Sequence, residues 1–177
     1  MWENFKFYCD VKLKLNILFR TLINLSIQFI VIGVFSVNAV IFNCAYSNTY
    51  WNVVEKFYSC RPIVTSTNNT SVLENVQGNH LSGKSNADVL TFSVYNQNLP
   101  AIVKRIENFF PNLIAFAWTN TGLTKISSED LRPFPKLRYI NFKKNNLTSL
   151  ESDLFQHTSE LEEISFNNNF ITSVCWK

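Results

Sequence analysis

The chain has 177 residues, 46% of them apolar, and a formal net charge of +3. Sixteen basic against thirteen acidic residues give no basic excess of the kind an electrostatic nucleic-acid binder needs, so no nucleic-acid partner is expected. Two histidines and four cysteines without a C-x-x-C pair argue against a zinc site, and no other metal or cofactor is expected.

The N-terminal segment addresses the chain. Lys6, Lys12, Lys14 and Arg20 precede an uncharged, mostly apolar run from Thr21 to Phe35, and SVNA follows, with Val37 and Ala39 placed as the small residues of a signal-peptidase site. Residues 1–39 read as a secretory signal peptide cut after Ala39. The alternative is an uncleaved signal anchor, because the uncharged stretch extends past Phe42 and is long enough to span a bilayer. The first reading makes the protein secreted; the second makes it a single-pass membrane protein with the remainder outside the cytoplasm, since positive charges stay inside. Cleavage removes four basic and two acidic residues, leaving twelve against eleven and a charge of +1.

Residues 40–88 come next. Cys44 and Cys60 sit sixteen positions apart in CAYSNTYWNVVEKFYSC, and in an oxidising compartment a bridge between them is the simplest reading, closing an aromatic-rich loop. Two buried free thiols are the alternative. Cys9 lies in the leader and Cys175 is left over. Asn68, Asn69 and Asn146 stand in N-x-[ST] sequons and are candidate glycosylation sites. VIFNC and SVLENVQG are candidate strands that pair with each other.

Residues 78–85, GNHLSGKS, fit G-x-x-x-x-G-K-[ST], with Gly78, Gly83, Lys84 and Ser85 where a phosphate-cradling loop needs them. Such a loop must run into a helix whose N-terminus faces the phosphates. Here NADVLTFSV follows, whose apolar residues belong to the strand pattern described next. A P-loop nucleotide-binding protein therefore stands only as the remote alternative, and the two glycines are better read as turn formers.

From Val89 the chain repeats every 24 residues: VLTFSVYNQNLPAI, LIAFAWTNTGLTKI, LRYINFKKNNLTSL and LEEISFNNNFITSV. Five columns are apolar in all four rows, opening with Val89, Leu113, Leu137 and Leu161 and continuing through Phe92, Phe116, Ile140 and Ile164. Chance would give this on the order of once in several million trials. Within each row the second and third apolar residues alternate along a short strand and point inward, while their neighbours point outward. Phe110, Phe134, Leu154 and Phe155 in the return segments are expected to pack behind the sheet.

The pattern L-x-x-L-x-L-x-x-N-x-L-x-x-L resembles the leucine-rich repeat family, and the period is typical of its extracellular members. The resemblance implies an α/β solenoid, a horseshoe fragment with a parallel β-sheet and rows at 89–112, 113–136, 137–160 and an incomplete 161–177. Residues 40–88 look like the Cys-containing N-terminal cap of secreted insect members. In the family a buried amide at the Asn145 and Asn169 position bonds neighbouring turns; Gln97 and Thr121 replace it in the first two rows, so that ladder is expected to be incomplete. The resemblance further implies a non-catalytic, extracellular interaction module in recognition, adhesion or innate immunity, binding a protein or glycan on the concave face of the sheet. The expected contact residues there are Tyr95, Thr119, Tyr139, Asn141 and Lys143, with Tyr139 as the anchor and the alanines of the second row forming a depression. The fourth row stops without a return segment, leaving an apolar edge that reads as truncation or as a dimer contact.

Overall fold

A computed structural model describes residues 39–51, 53–65 and 72–174. The leader expected over 1–39 (all but its last residue), the acceptors Asn68 and Asn69, and Cys175 lie outside the described residues. The strands are β1 (Ala39–Tyr50), β2 (Lys56–Val64), β3 (Val72–Gln77), β4 (Thr91–Tyr95), β5 (Ala115–Thr119), β6 (Tyr139–Asn141), β7 (Ser149–Leu150), β8 (Glu163–Ser165) and β9 (Ser173–Val174). Helix is scarce among the described residues: 3-10 turns at Asn86–Asp88 and Ile106–Asn108, and one short α-helix, α1 (Ser128–Leu131). No helix among them is long and apolar enough to cross a membrane.

Seven strands form one sheet in the order β3-β1-β2-β4-β5-β6-β8, with β7 and β9 pairing separately. Only the β1–β2 hairpin is antiparallel; every other neighbour pair runs parallel. VIFNC and the LENVQ part of SVLENVQG do pair, as β1 and β3, through a register that shifts between Val40 and Ile41. From β4 onward each pairing joins residues 24 apart, as in Thr91 with Ala115, Phe116 with Ile140 and Tyr139 with Glu163. β7 and β9 keep the same offset.

The inward columns make the core. Through the first three rows every column residue is buried except Leu99 and Leu150, which are half-buried. Phe42, Phe92, Phe116, Phe142 and Phe166 stand side by side behind the sheet, with ring centroids 5.5 to 6.1 Å apart, inside the range of favourable aromatic pairs. Phe110 and Phe134 back the first two rows at 5.5 and 5.4 Å from Phe92 and Phe116. The fourth row is less covered: Ile164 on the edge strand β8 is 44% exposed, and nearby Phe170 is 66% exposed.

Where the chain leaves each strand its turns need polar partners, because an unpaired buried peptide group costs about 1–3 kcal/mol. The buried Asn145 amide donates to the Trp118 and Phe142 carbonyls and accepts from the Thr121 and Leu123 backbone N–H groups. Asn169 does likewise between the Phe142 and Phe166 carbonyls and Leu147 N–H. The series is also more complete than expected. Gln97, one methylene longer, reaches back to β2, accepting from Val64 N–H and donating to Pro62 C=O, both at 2.8 Å. Thr121 is too short to do this; its carbonyl instead accepts from Leu99 N–H, and the Trp118 indole donates to the Leu99 carbonyl at 3.0 Å.

The disulfide inferred from spacing is present: Cys44 and Cys60 are joined across the β1–β2 hairpin, with Cα atoms 5.2 Å apart. Closing this sixteen-residue separation contributes about 3 kcal/mol through the unfolded chain.

A left-handed residue recurs after each strand: Asn96, Asn120, Lys144 and Asn168 have φ of 54°, 53°, 56° and 60°. Asparagine tolerates this conformation and lysine does not, at a cost of about 1 kcal/mol. Asn120 also donates to the Asn96 side chain at 2.9 Å. Lys144→Asn should therefore raise unfolding free energy by about 0.5–1 kcal/mol in urea titrations. An unchanged or lower midpoint would contradict this account of the turns.

Candidate functional site

The outward-pointing side chains fall in three rows across the sheet. Ser59, Thr91, Ala115, Tyr139 and Glu163 share the first row, as the strand register requires. Ser93, Ala117, Asn141 and Ser165 share the second, and Tyr95 pairs with Thr119 in the third. Of the five expected contact residues, Tyr95, Thr119, Asn141 and Lys143 are half-buried.

Tyr139 departs from expectation. It was expected to stand open on this face as an anchor, yet it is 4% exposed. The tip of the β1–β2 hairpin lies over it: the Trp51 and Phe57 rings sit 5.9 and 6.1 Å from its ring, and its hydroxyl donates to Glu55. The approach is possible because the neighbouring floor is small; Ala115 and Ala117 are fully buried, and Thr91 and Ser93 nearly so. The expected depression at the two alanines is thus filled in its first row.

A charged cluster fastens the tip. Arg138 donates to Glu162 through Nε at 2.6 Å and Nη2 at 2.9 Å, contacts Glu55 at 3.4 Å, and lies 4.9 Å from the Tyr139 ring centre. Hydrogen bonding from Arg138 holds the Glu162 carboxyl below the usual carboxylate range. The hydrogen bond to Glu55, with burial and Glu162 acting in the same direction, pushes the Tyr139 phenol well up. Tyr139 therefore stays protonated and serves as a donor.

Between the hairpin and the uncovered part of the face is a cleft of about 140 Å³. Thr49, Tyr50, Trp51 and Arg61 form its hairpin wall; Thr91, Ser93, Tyr95, Asn141, Lys143 and Glu163 form its sheet side. Three expected contact residues, Tyr95, Asn141 and Lys143, are thus brought together, while Thr119 lies beside them within 3.5 Å of the Asn141 side chain. The hairpin wall was missed by sequence reasoning. The sixteen-residue cysteine spacing signals a closed loop, and nothing in it signals that the loop is a hairpin or which way its tip turns.

GNHLSGKS lies elsewhere and is engaged in local contacts. A Cβ on Gly78 would sit 2.2 Å from the Cys44 carbonyl oxygen, so only glycine lets this segment approach β1. Lys84 pairs with Asp88 at 3.1 Å, and Ser85 caps the Asn86–Asp88 turn that leads to β4. His80 is held between the Tyr58 hydroxyl and the Asn86 side chain, which also accepts from Tyr46. Burial, helped by Tyr58, pushes the Tyr46 phenol up to about 12. Of the remaining expected residues, Asn146 is exposed. Among the described residues no group of three or more His, Cys, Asp or Glu side chains could hold a metal.

The packing of Tyr139 separates it from Lys143. Tyr139→Ala should lower the melting temperature by at least about 5 °C, since it removes a buried ring and orphans the Glu55 contact, whereas Lys143→Ala should leave it within about 1 °C. Equal melting temperatures for Tyr139→Ala and the parent, followed by circular dichroism, would mean that the hairpin does not rest on this ring.

No family model matches the chain and no curated protein matches it, so the site is read from its own geometry.

Proposed function

We propose that the protein is an extracellular leucine-rich-repeat module that binds a protein or glycan partner, without catalysis, through the cleft between its N-terminal hairpin and the open face of its sheet. The constant offset of 24 between paired strands supports the repeat architecture, as do the buried apolar columns and the bridging amides of Gln97, Asn145 and Asn169. Stacking is the physical requirement behind that architecture, since one row cannot bury its own apolar face. The disulfide agrees with an oxidising compartment. A membrane-anchored form of the same module differs only in the fate of residues 1–39.

One observation carries the binding role: Tyr95, Asn141 and Lys143 line a concavity together with aromatic residues from a different part of the chain. Rigid aromatic rings combined with amides and cations are what recognition surfaces use for contact at low entropic cost.

The folded, oxidised chain should be applied to an array of extracellular glycans and secreted proteins. At least one ligand should bind, lose tenfold or more in affinity on Lys143→Glu, and be retained by Glu160→Lys, a reversal on an exposed return segment. A chain that binds nothing on the array, or whose ligands are indifferent to Lys143→Glu, would contradict the proposal.

A further inference from the structure

We propose that the cleft receives a single acidic sugar unit at the end of a glycan, an inference that rests on the binding role proposed above and names its ligand class. Four features of the cleft point the same way.

The first is a buried hydroxyl with nothing to bond. Thr91 is 2% exposed, and its Oγ1 is the one buried side-chain polar atom among the described residues without a hydrogen-bond partner. Buried polar atoms in folded proteins are nearly always paired, and Thr91 is among the residues that line the cleft, so its hydroxyl is the group there that a ligand would satisfy.

The second is unpaired charge. Arg138 nearby is held by two carboxylates, whereas Arg61 and Lys143 line the cleft and form no ion pair among the described residues. Arg61 is positioned all the same, with its guanidinium 5.3 Å from the centre of the Tyr95 ring. An arginine steadied on an aromatic face and a lysine at the same cavity form a carboxylate-binding pair.

The third is the presence of an acceptor. Glu163 also lines the cleft and is likewise in no ion pair among the described residues. Such a carboxylate opposes a bare inorganic anion or the side chain of an acidic peptide. It suits a ligand that carries hydroxyl donors as well as a negative group. The Asn141 amide and the Ser93 hydroxyl add donors and acceptors of the neutral kind that sugar hydroxyls need.

The fourth is shape. Tyr50 and Trp51 supply flat apolar walls, against which the C–H face of a sugar ring packs, and the cleft has a volume of about 140 Å³. A cleft of this size suits one sugar ring, the end of a chain.

The test uses D-glucuronate as probe, with D-glucose and L-glutamate as controls, titrated into the oxidised full chain and followed by NMR. Glucuronate should bind, with glucose and glutamate at least tenfold weaker. Arg61→Gln and Lys143→Gln should each weaken glucuronate at least fivefold. Thr91→Val should weaken it at least threefold while melting at the same or a higher temperature, because it removes an unsatisfied hydroxyl without changing the side chain's shape. The inference is overturned if glucuronate does not bind, or if both charge-removing variants bind it like the parent. Equal binding of glucose removes the carboxylate, and equal binding of glutamate assigns the cleft to an acidic side chain; either sinks the sugar-acid reading. A lower melting temperature for Thr91→Val makes the hydroxyl structural and also counts against it. An array ligand lost on Lys143→Glu, found alongside a failed glucuronate titration, leaves the proposed function standing and removes this inference alone.

Discussion

The short parallel contact between β2 and β4 is the joint on which the structure depends. Two register pairs, Ser59 with Thr91 and Cys60 with Phe92, connect the antiparallel hairpin to the parallel part of the sheet. They set the inward side of β2, where Tyr58 and Cys60 are buried, in line with the core columns. The edge of β4 would otherwise present unpaired peptide groups and an uncovered apolar row. The disulfide, on the same inward side, ties β1 to β2 and makes the hairpin act as one piece.

This joint also determines the functional surface. A hairpin continuous with the sheet edge carries its tip past the end of β4, and the tip turns over the outward face toward β6. Three kinds of residue allow it to stay there. Ala115 and Ala117 leave room beneath it, Tyr139 supplies a ring to pack against, and Arg138 gathers the carboxylates of Glu55 and Glu162 from the two sides of the contact. The consequence is a face divided in two: the middle of the first row, Ala115 and Tyr139, covered by the tip, and a cleft whose far wall is Tyr95, Asn141 and Lys143. The aromatic that looked like the anchor holds the cover in place, and Tyr50 and Trp51 of the cover stand at the cleft in its stead.

Much of the core was legible because it is periodic. A five-column apolar pattern recurring every 24 residues identifies the inward side chains from Val89 to Leu147 without any knowledge of their partners, and the hairpin disulfide follows from spacing and compartment. Three matters were not legible. Gln97 was set aside as a substitute for asparagine, since sequence does not reveal that one more methylene lets its amide reach back to β2, as Asn145 and Asn169 reach back to the row before them. Trp118, read only as a core residue, also donates a hydrogen bond that offsets the short Thr121. The burial of Tyr139 depends on the direction in which TYWNVVEKF turns, and that direction is fixed by long-range contacts that leave no periodic trace. Exposed valines at the tip, Val53 and Val54, add no outward or inward alternation from which to infer it.

The central claim is that the hairpin tip rests on the first row of the sheet face and thereby shapes the cleft. Its most direct test is the nuclear Overhauser effect between the Trp51 indole and the Tyr139 ring in the folded, oxidised protein. With ring centroids 5.9 Å apart, their nearest protons lie within range, and cross-peaks between the two rings are predicted. A well-folded spectrum in which Trp51 shows no cross-peak to Tyr139 would place the hairpin off the face and contradict the account.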